Sequence, residues 1–202
     1  MKVAYPKVSV SHFGYGQEAQ SFTPGDFIII RSNTFPARCI SFLQSLFSKD
    51  KLLSKWNHCA LIVNPEGELV EVLGGKVKLT KLSSYLTKEY VLVQINATLE
   101  QRKAAFELAT NCIGDEMTTW NKICFWLSMC TSLNGSFGFL PQHTASGLLV
   151  RCLEKEGATF IEDGTHITPS KLAKYYIEAN YTIATAGAGT LTGATLQSSV
   201  FE

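Results

Sequence analysis

The amino-acid sequence predicts an α+β fold, an antiparallel sheet packed against helices. Three observations carry that expectation. A β-branched run, Phe27-Ile28-Ile29-Ile30, follows the turn chemistry of Thr23-Pro24-Gly25-Asp26. A meander of short strands separated by turn residues extends from His58 to Ile95. Segments of helical spacing lie on either side of it. With 202 residues the chain suits one domain, and 46% hydrophobic against 17% charged residues excludes disorder for most of it.

Taken in order, residues 1–22 read as an irregular lead-in. Residues 23–184 then form the domain, opening with the Phe27–Ile30 strand. Phe35, Cys39, Phe42, Leu43, Leu46 and Phe47 recur at helical spacing, and a charged connector covers Lys49 to Lys55. His58 to Val63 and Glu68 to Leu73 are two strands joined by Asn64-Pro65-Glu66-Gly67. Gly74-Gly75 breaks the second, and the alternation of Lys76-Val77-Lys78-Leu79 marks a half-exposed third. A short helix over Leu82–Leu86 and a strand over Tyr90–Ile95 follow. Thr98 caps a helix to Cys112, with Gln101 in capping-box position and Leu99, Ala105, Phe106, Leu108, Ala109 and Cys112 as its apolar face. A second helix opens at Thr118 or Thr119 and runs to about Cys130, and a Gly-rich loop spans Asn134–Pro141. Thr144–Glu156 is a helix stopped by Gly157, and Thr168-Pro169 opens another. Residues 185–202 are Gly/Ala/Thr-rich and read as a flexible tail.

Bulk properties narrow the function. A formal charge of +1 lacks the basic footprint of a nucleic-acid binder. No apolar run approaches the roughly 18 residues of a membrane span, and the N-terminus lacks a signal-peptide core, so the expectation is a cytoplasmic product. The six cysteines, Cys39, Cys59, Cys112, Cys124, Cys130 and Cys152, form no CxxC pair and no zinc-like spacing with histidine. Reduced thiols, no metal and no cofactor are expected.

The residues that could carry chemistry begin with His58. A four-residue loop at 64–67 pairs Val63 with Glu68, which sets Ala60 opposite Glu71 and His58 opposite Leu73. His58 and Glu71 then share a sheet face as diagonal neighbours, with Cα atoms about 7–8 Å apart. A five-residue loop would break that parity. A carboxylate beside an imidazole fixes its tautomer and stabilises the imidazolium, as a general base requires. Such a pair needs a nucleophile, and a helix N-terminus favours a thiolate. The helix start at Thr144-Ala145-Ser146-Gly147 is the candidate position.

Several segments resemble, in order, the circularly permuted papain-like cysteine hydrolases of the NlpC superfamily, in the YiiX-like branch. Pro24-Gly25-Asp26-Phe27-Ile28 resembles the family's opening Gly-Asp strand. Trp56-Asn57-His58-Cys59-Ala60-Leu61-Ile62-Val63 is similar to its Ser-His-Val-Gly-Ile strand, and Leu69-Val70-Glu71-Val72 to its Val-Ile-Glu-Ala strand. Lys76-Val77-Lys78-Leu79 resembles the next strand. Ala145-Ser146-Gly147-Leu148-Leu149 stands where the family has Cys-Ser-Glu-Leu-Val, and Ile167-Thr168-Pro169-Ser170-Lys171-Leu172 resembles its late Thr-Pro segment. The resemblance implies a permuted papain-like fold over about residues 23–178. It implies His58 as base, Glu71 as orienter and position 145 as nucleophile. Alanine at 145 departs from the family, as does Gly114-Asp115-Glu116-Met117, which lacks an aromatic. Ser146 is rotated about 100° from position 145 on a helix. Cys152 reads as core, and Cys59 faces away from His58.

Three readings follow. The first is a thiol-dependent amide hydrolase acting on cell-wall peptide amides, inactive here for want of a cysteine at 145. It would reach the wall by lysis, a holin-like route or a dedicated injector, which points to a phage or toxin-like origin. The second keeps the chemistry but takes a lipid or fatty-acyl amide as substrate, as hydrolase or acyltransferase. Its support is the apolar stretch Ile123 to Met129, which otherwise reads as a buried core helix and could alternatively face a membrane surface. The third is a catalytically silent binding or assembly module. Persistence of His58 and Glu71 favours an inactivated enzyme over the third.

Overall fold

A strand that is apolar at every position needs cover on both faces, and Phe27–Ile30 has it. In the computed structural model, which describes residues 8–33, 53–116, 118, 144–160 and 167–178, all four side chains are fully buried. The strands are β1 (Val8–Phe13), β2 (Phe27–Arg31), β3 (His58–Ile62), β4 (Glu68–Leu73), β5 (Lys76–Lys81) and β6 (Glu89–Ile95). They form one sheet in the order β1-β6-β2-β3-β4-β5, every neighbouring pair antiparallel. The α+β class and the antiparallel sheet are therefore as expected.

Alternation divides the sheet between two apolar clusters. Phe27 and Ile29 on β2, Cys59 and Leu61 on β3, and Val70 and Val72 on β4 share one cluster with the helices. These are α1 (Leu99–Asn111), α2 (Ala145–Lys155) and α3 (Pro169–Ala173), the last running on as a wider turn over Lys174–Glu178. Ile28, Ile30, Ala60, Ile62 and Leu69 point the other way, to Leu82, Tyr85, Tyr90 and Ala19.

The lead-in reading of residues 1–22 needs correction. Residues 8–13 are the edge strand β1, paired with β6 from Val8↔Ile95 to Phe13↔Tyr90, and Ala19 is buried. Val8 and Val10 pack against the helix-side cluster, so VSVSHF is a period-two strand with a serine face. Leu99 is corrected too. It is 83% exposed, because it stands in the first turn of α1, where the cap sets the orientation. The capping box at Thr98 and Gln101 forms as expected. The helices expected over 35–47 and 118–130, the loop 134–141 and the tail 185–202 lie outside the described residues.

The turn before β2 is locked by one carboxylate. Asp26 is fully buried and accepts from the Thr23 backbone (2.8 Å), the Ile95 backbone (3.1 Å) and Arg102 Nη1 on α1 (2.9 Å). It thereby ties the start of β2 to the end of β6 and to α1. Gly25 has φ +98°, and a Cβ there would meet Glu156 Oε1 at 2.3 Å. Backbone shape and close approach both demand glycine.

Candidate active site

Asn57 sets the entry to β3. Its side-chain amide makes two bonds to the Ser32 backbone, accepting from N at 2.9 Å and donating to O at 2.8 Å. Trp56, almost wholly buried, belongs to the helix-side cluster. His58 follows with only the rim of its ring exposed.

At the β3–β4 turn, Asn64 Oδ1 accepts from the Glu68 backbone at 2.8 Å and Gly67 takes φ 75°. Val63 N donates to Glu68 O at 2.9 Å, which is the expected four-residue register. The ladder holds Leu61↔Val70 and Ile62↔Leu69 and then opens. The expected pairs Ala60 with Glu71 and His58 with Leu73 are not laddered. Even so, His58 Nε2 bonds Glu71 Oε2 across the open end.

Glu71 is buried with three donors on its carboxylate. His58 and the Tyr85 hydroxyl meet Oε2, and the Thr80 hydroxyl donates to Oε1. Burial works against the charged form. The bonds from His58, Thr80 and Tyr85 and the charge of His58 outweigh it and hold the carboxyl below its ordinary value. Tyr85 moves the opposite way: burial, then the charge and hydrogen bond of Glu71, push its phenol well up, so it remains a donor. With Nε2 turned to Glu71, Nδ1 is the ring nitrogen without a hydrogen-bond partner among the described residues.

Thr80 and Tyr85 were not among the expected site residues. The signal for Thr80 was present: a two-residue Gly74-Gly75 turn sets Glu71 opposite Lys78 and Leu69 opposite Thr80, diagonal to Glu71. Tyr85 comes from the 3-10 turn Leu82–Tyr85, whose placement no strand register gives.

Ala145 is the first residue of α2. Thr144 caps the helix, accepting from Gly147 N at 3.1 Å. Ala145 is half-buried against the helix-side cluster, which includes Cys59, Leu61, Val70 and Val72. His58 and Glu71 have the opposite alternation on β3 and β4. The structure thus joins His58 to Glu71, and it sets position 145 at the start of the helix that packs on the same two strands. Cys59 and Cys152 are free, fully buried thiols, and burial raises the pKa of both far above a free thiol.

Among the described residues no cluster of three or more His, Cys, Asp or Glu side chains could hold a metal, and no helix is long and apolar enough to cross a membrane. No protein-family model matches the chain, and no curated protein matches it.

Proposed function

We propose that the chain has the framework of a thiol-dependent amide hydrolase, with a permuted papain-like fold of NlpC type and a Cys-His-Glu triad whose nucleophile position is Ala145. The observation that carries this reading is the His58–Glu71 pair: a buried, triply bonded carboxylate orients an imidazole through Nε2, and Nδ1 has no hydrogen-bond partner among the described residues. With cysteine at 145, the thiolate would attack an amide carbonyl and form an acyl-enzyme. His58 would protonate the leaving amine and then activate water. Cell-wall peptide amides are the proposed substrate class. The alternation of β3 and β4 imposes a geometric condition. The first turn of α2 has to meet the imidazole at the open end of the ladder, since the sheet separates the rest of the helix from His58. As written, with alanine at 145, the chain cannot make the acyl-enzyme, and this same residue favours a silent binding module as the second reading.

The test is Ala145→Cys. A helix N-terminus and a nearby imidazolium lower a thiol's pKa well below about 8.5. Iodoacetamide near pH 6 should therefore label position 145 faster than Cys59 or Cys152, His58→Ala should slow that labelling, and the variant should cleave peptidoglycan stem peptides. Labelling no faster than that of Cys59 or Cys152 would end the nucleophile assignment. Fast labelling without cleavage of those peptides would remove only the substrate class.

A further inference from the structure

Tyr85 touches both members of the pair. Its hydroxyl donates to Glu71 Oε2, the oxygen that His58 Nε2 also meets. Its ring centroid lies 6.4 Å from that of the imidazole, with the planes 30° apart. The turn that carries it is pinned, because Leu82 N donates to Gly67 O at 2.8 Å. The Lys88 ammonium lies 4.5 Å from the Tyr85 ring centroid.

We propose that Tyr85 is a positioning residue of the site: by sharing Glu71 Oε2 with His58, it fixes the carboxylate and weakens the hold of that oxygen on the imidazole proton. A carboxylate oxygen that accepts two hydrogen bonds divides its charge between them. With the phenol on Oε2, Glu71 orients His58 without trapping it as imidazolium, so the ring can both take and give a proton. Thr80 occupies the other oxygen and stops the carboxylate from rotating away. Among the described residues, the charged and titratable groups around the pair are Glu71 on β4, Tyr85 and Lys88 after β5, and Lys78, exposed and opposite Glu71 in the β4–β5 register, while Cys59, next to His58 on β3, faces the helix-side cluster. The catalytic meaning of this tuning rests on the proposed hydrolase reading. The effect on the imidazole does not, because it needs no nucleophile.

The experiment uses the chain as it stands, with Ala145, and follows by NMR the proton of the His58 Nε2–Glu71 hydrogen bond at one fixed pH. Tyr85→Phe keeps the ring and removes the donor. It should strengthen the His58–Glu71 bond and move that proton resonance downfield. Replacing Tyr85 with 3-fluorotyrosine makes a stronger donor in the same shape and should move the resonance upfield. That arm decides the matter should Tyr85→Phe fail to fold. A resonance that neither change moves, or that both move in the same direction, overturns the proposal. If Tyr85 moves the His58 resonance as expected while Ala145→Cys gives an unreactive thiol, the tuning stands and the nucleophile assignment falls.

Discussion

Replacing Glu156 by glutamine should stabilise the protein at pH 8 and have little effect near pH 4.5. Glu156 caps the C-terminal end of α2 and is 3% exposed, and neither carboxylate oxygen has a hydrogen-bond partner among the described residues. The cation whose charge bears on it is committed elsewhere: Arg102 Nη1 donates to Pro24 O at 2.8 Å and to Asp26 at 2.9 Å, and Nη2 donates to Ile95 O. Burial first, and the charge of Asp26 against the partial relief from Arg102, raise the Glu156 carboxyl from 4.5 to about 8. The sign follows from proton counting. Between those two values the folded chain keeps a proton that the unfolded chain has released, so stability falls as pH rises and levels off above about 8. At about 1.4 kcal/mol per unit, the ceiling is about 5 kcal/mol. Glutamine and the protonated acid are both neutral and equally unpartnered, so that cost cancels between the two proteins. The net gain at pH 8 is then about 4 kcal/mol, or roughly 8–16 °C in Tm for a domain of this size. Urea denaturation of both proteins at pH 4.5, 6, 7 and 8 measures it. The difference between the two curves isolates Glu156, because the contributions of Glu71 and His12 cancel. Parallel curves across that range would show that Glu156 ionises normally in the fold and would refute the reasoning.

Two further outcomes follow from neighbouring features. Gly25→Ala should cost about 2–4 kcal/mol in urea denaturation, since a left-handed φ strains any side chain and the new Cβ overlaps Glu156 and Arg102. A loss under about 1 kcal/mol would show that the turn adapts. The Cys59 and Cys152 thiols should resist iodoacetamide at pH 8 in the folded protein, because both are fully buried and their pKa values are raised by burial. Peptide mapping by mass spectrometry checks this, and labelling within minutes without denaturant would contradict it.

What the sequence made legible follows the range of the interactions. The His58–Glu71 pair could be read because Asn64 to Gly67 fixes the loop length, and loop length fixes the register of the two strands it joins. Strand β1 could not, because its partner β6 lies some eighty residues later in the chain and VSVSHF carries only two apolar residues on its buried face. Thr80 was accessible through the same register arithmetic carried one strand further. Tyr85 was not, since its hydroxyl reaches Glu71 from a 3-10 turn outside any ladder. Glu156 reads in sequence as an ordinary solvated charge at the end of a helix. Its burial comes from the Gly25 turn closing over it, a contact between segments about 130 residues apart.

The energetics of Glu71 bear on why the pair is there. A carboxylate with no exposed surface forfeits its hydration, and among the described residues the only side chain in contact with it that can carry a positive charge is His58. Asp26 is equally buried, but it is bonded to a guanidinium and to backbone N–H groups that knit β2, β6 and α1 together. That arrangement suffices as a structural device. Among the described residues the Glu71 carboxylate joins only side chains, and its strand neighbours Val70 and Val72 already supply the packing that holds β4 to the helices. Apolar residues of similar size at 71 and at its polar partners would avoid the desolvation cost and leave that packing intact, whereas removing Glu71 alone would strand His58, Thr80 and Tyr85. Stability alone therefore gives poor reason for a charge at this position, whereas orientation and charge control of His58 require one.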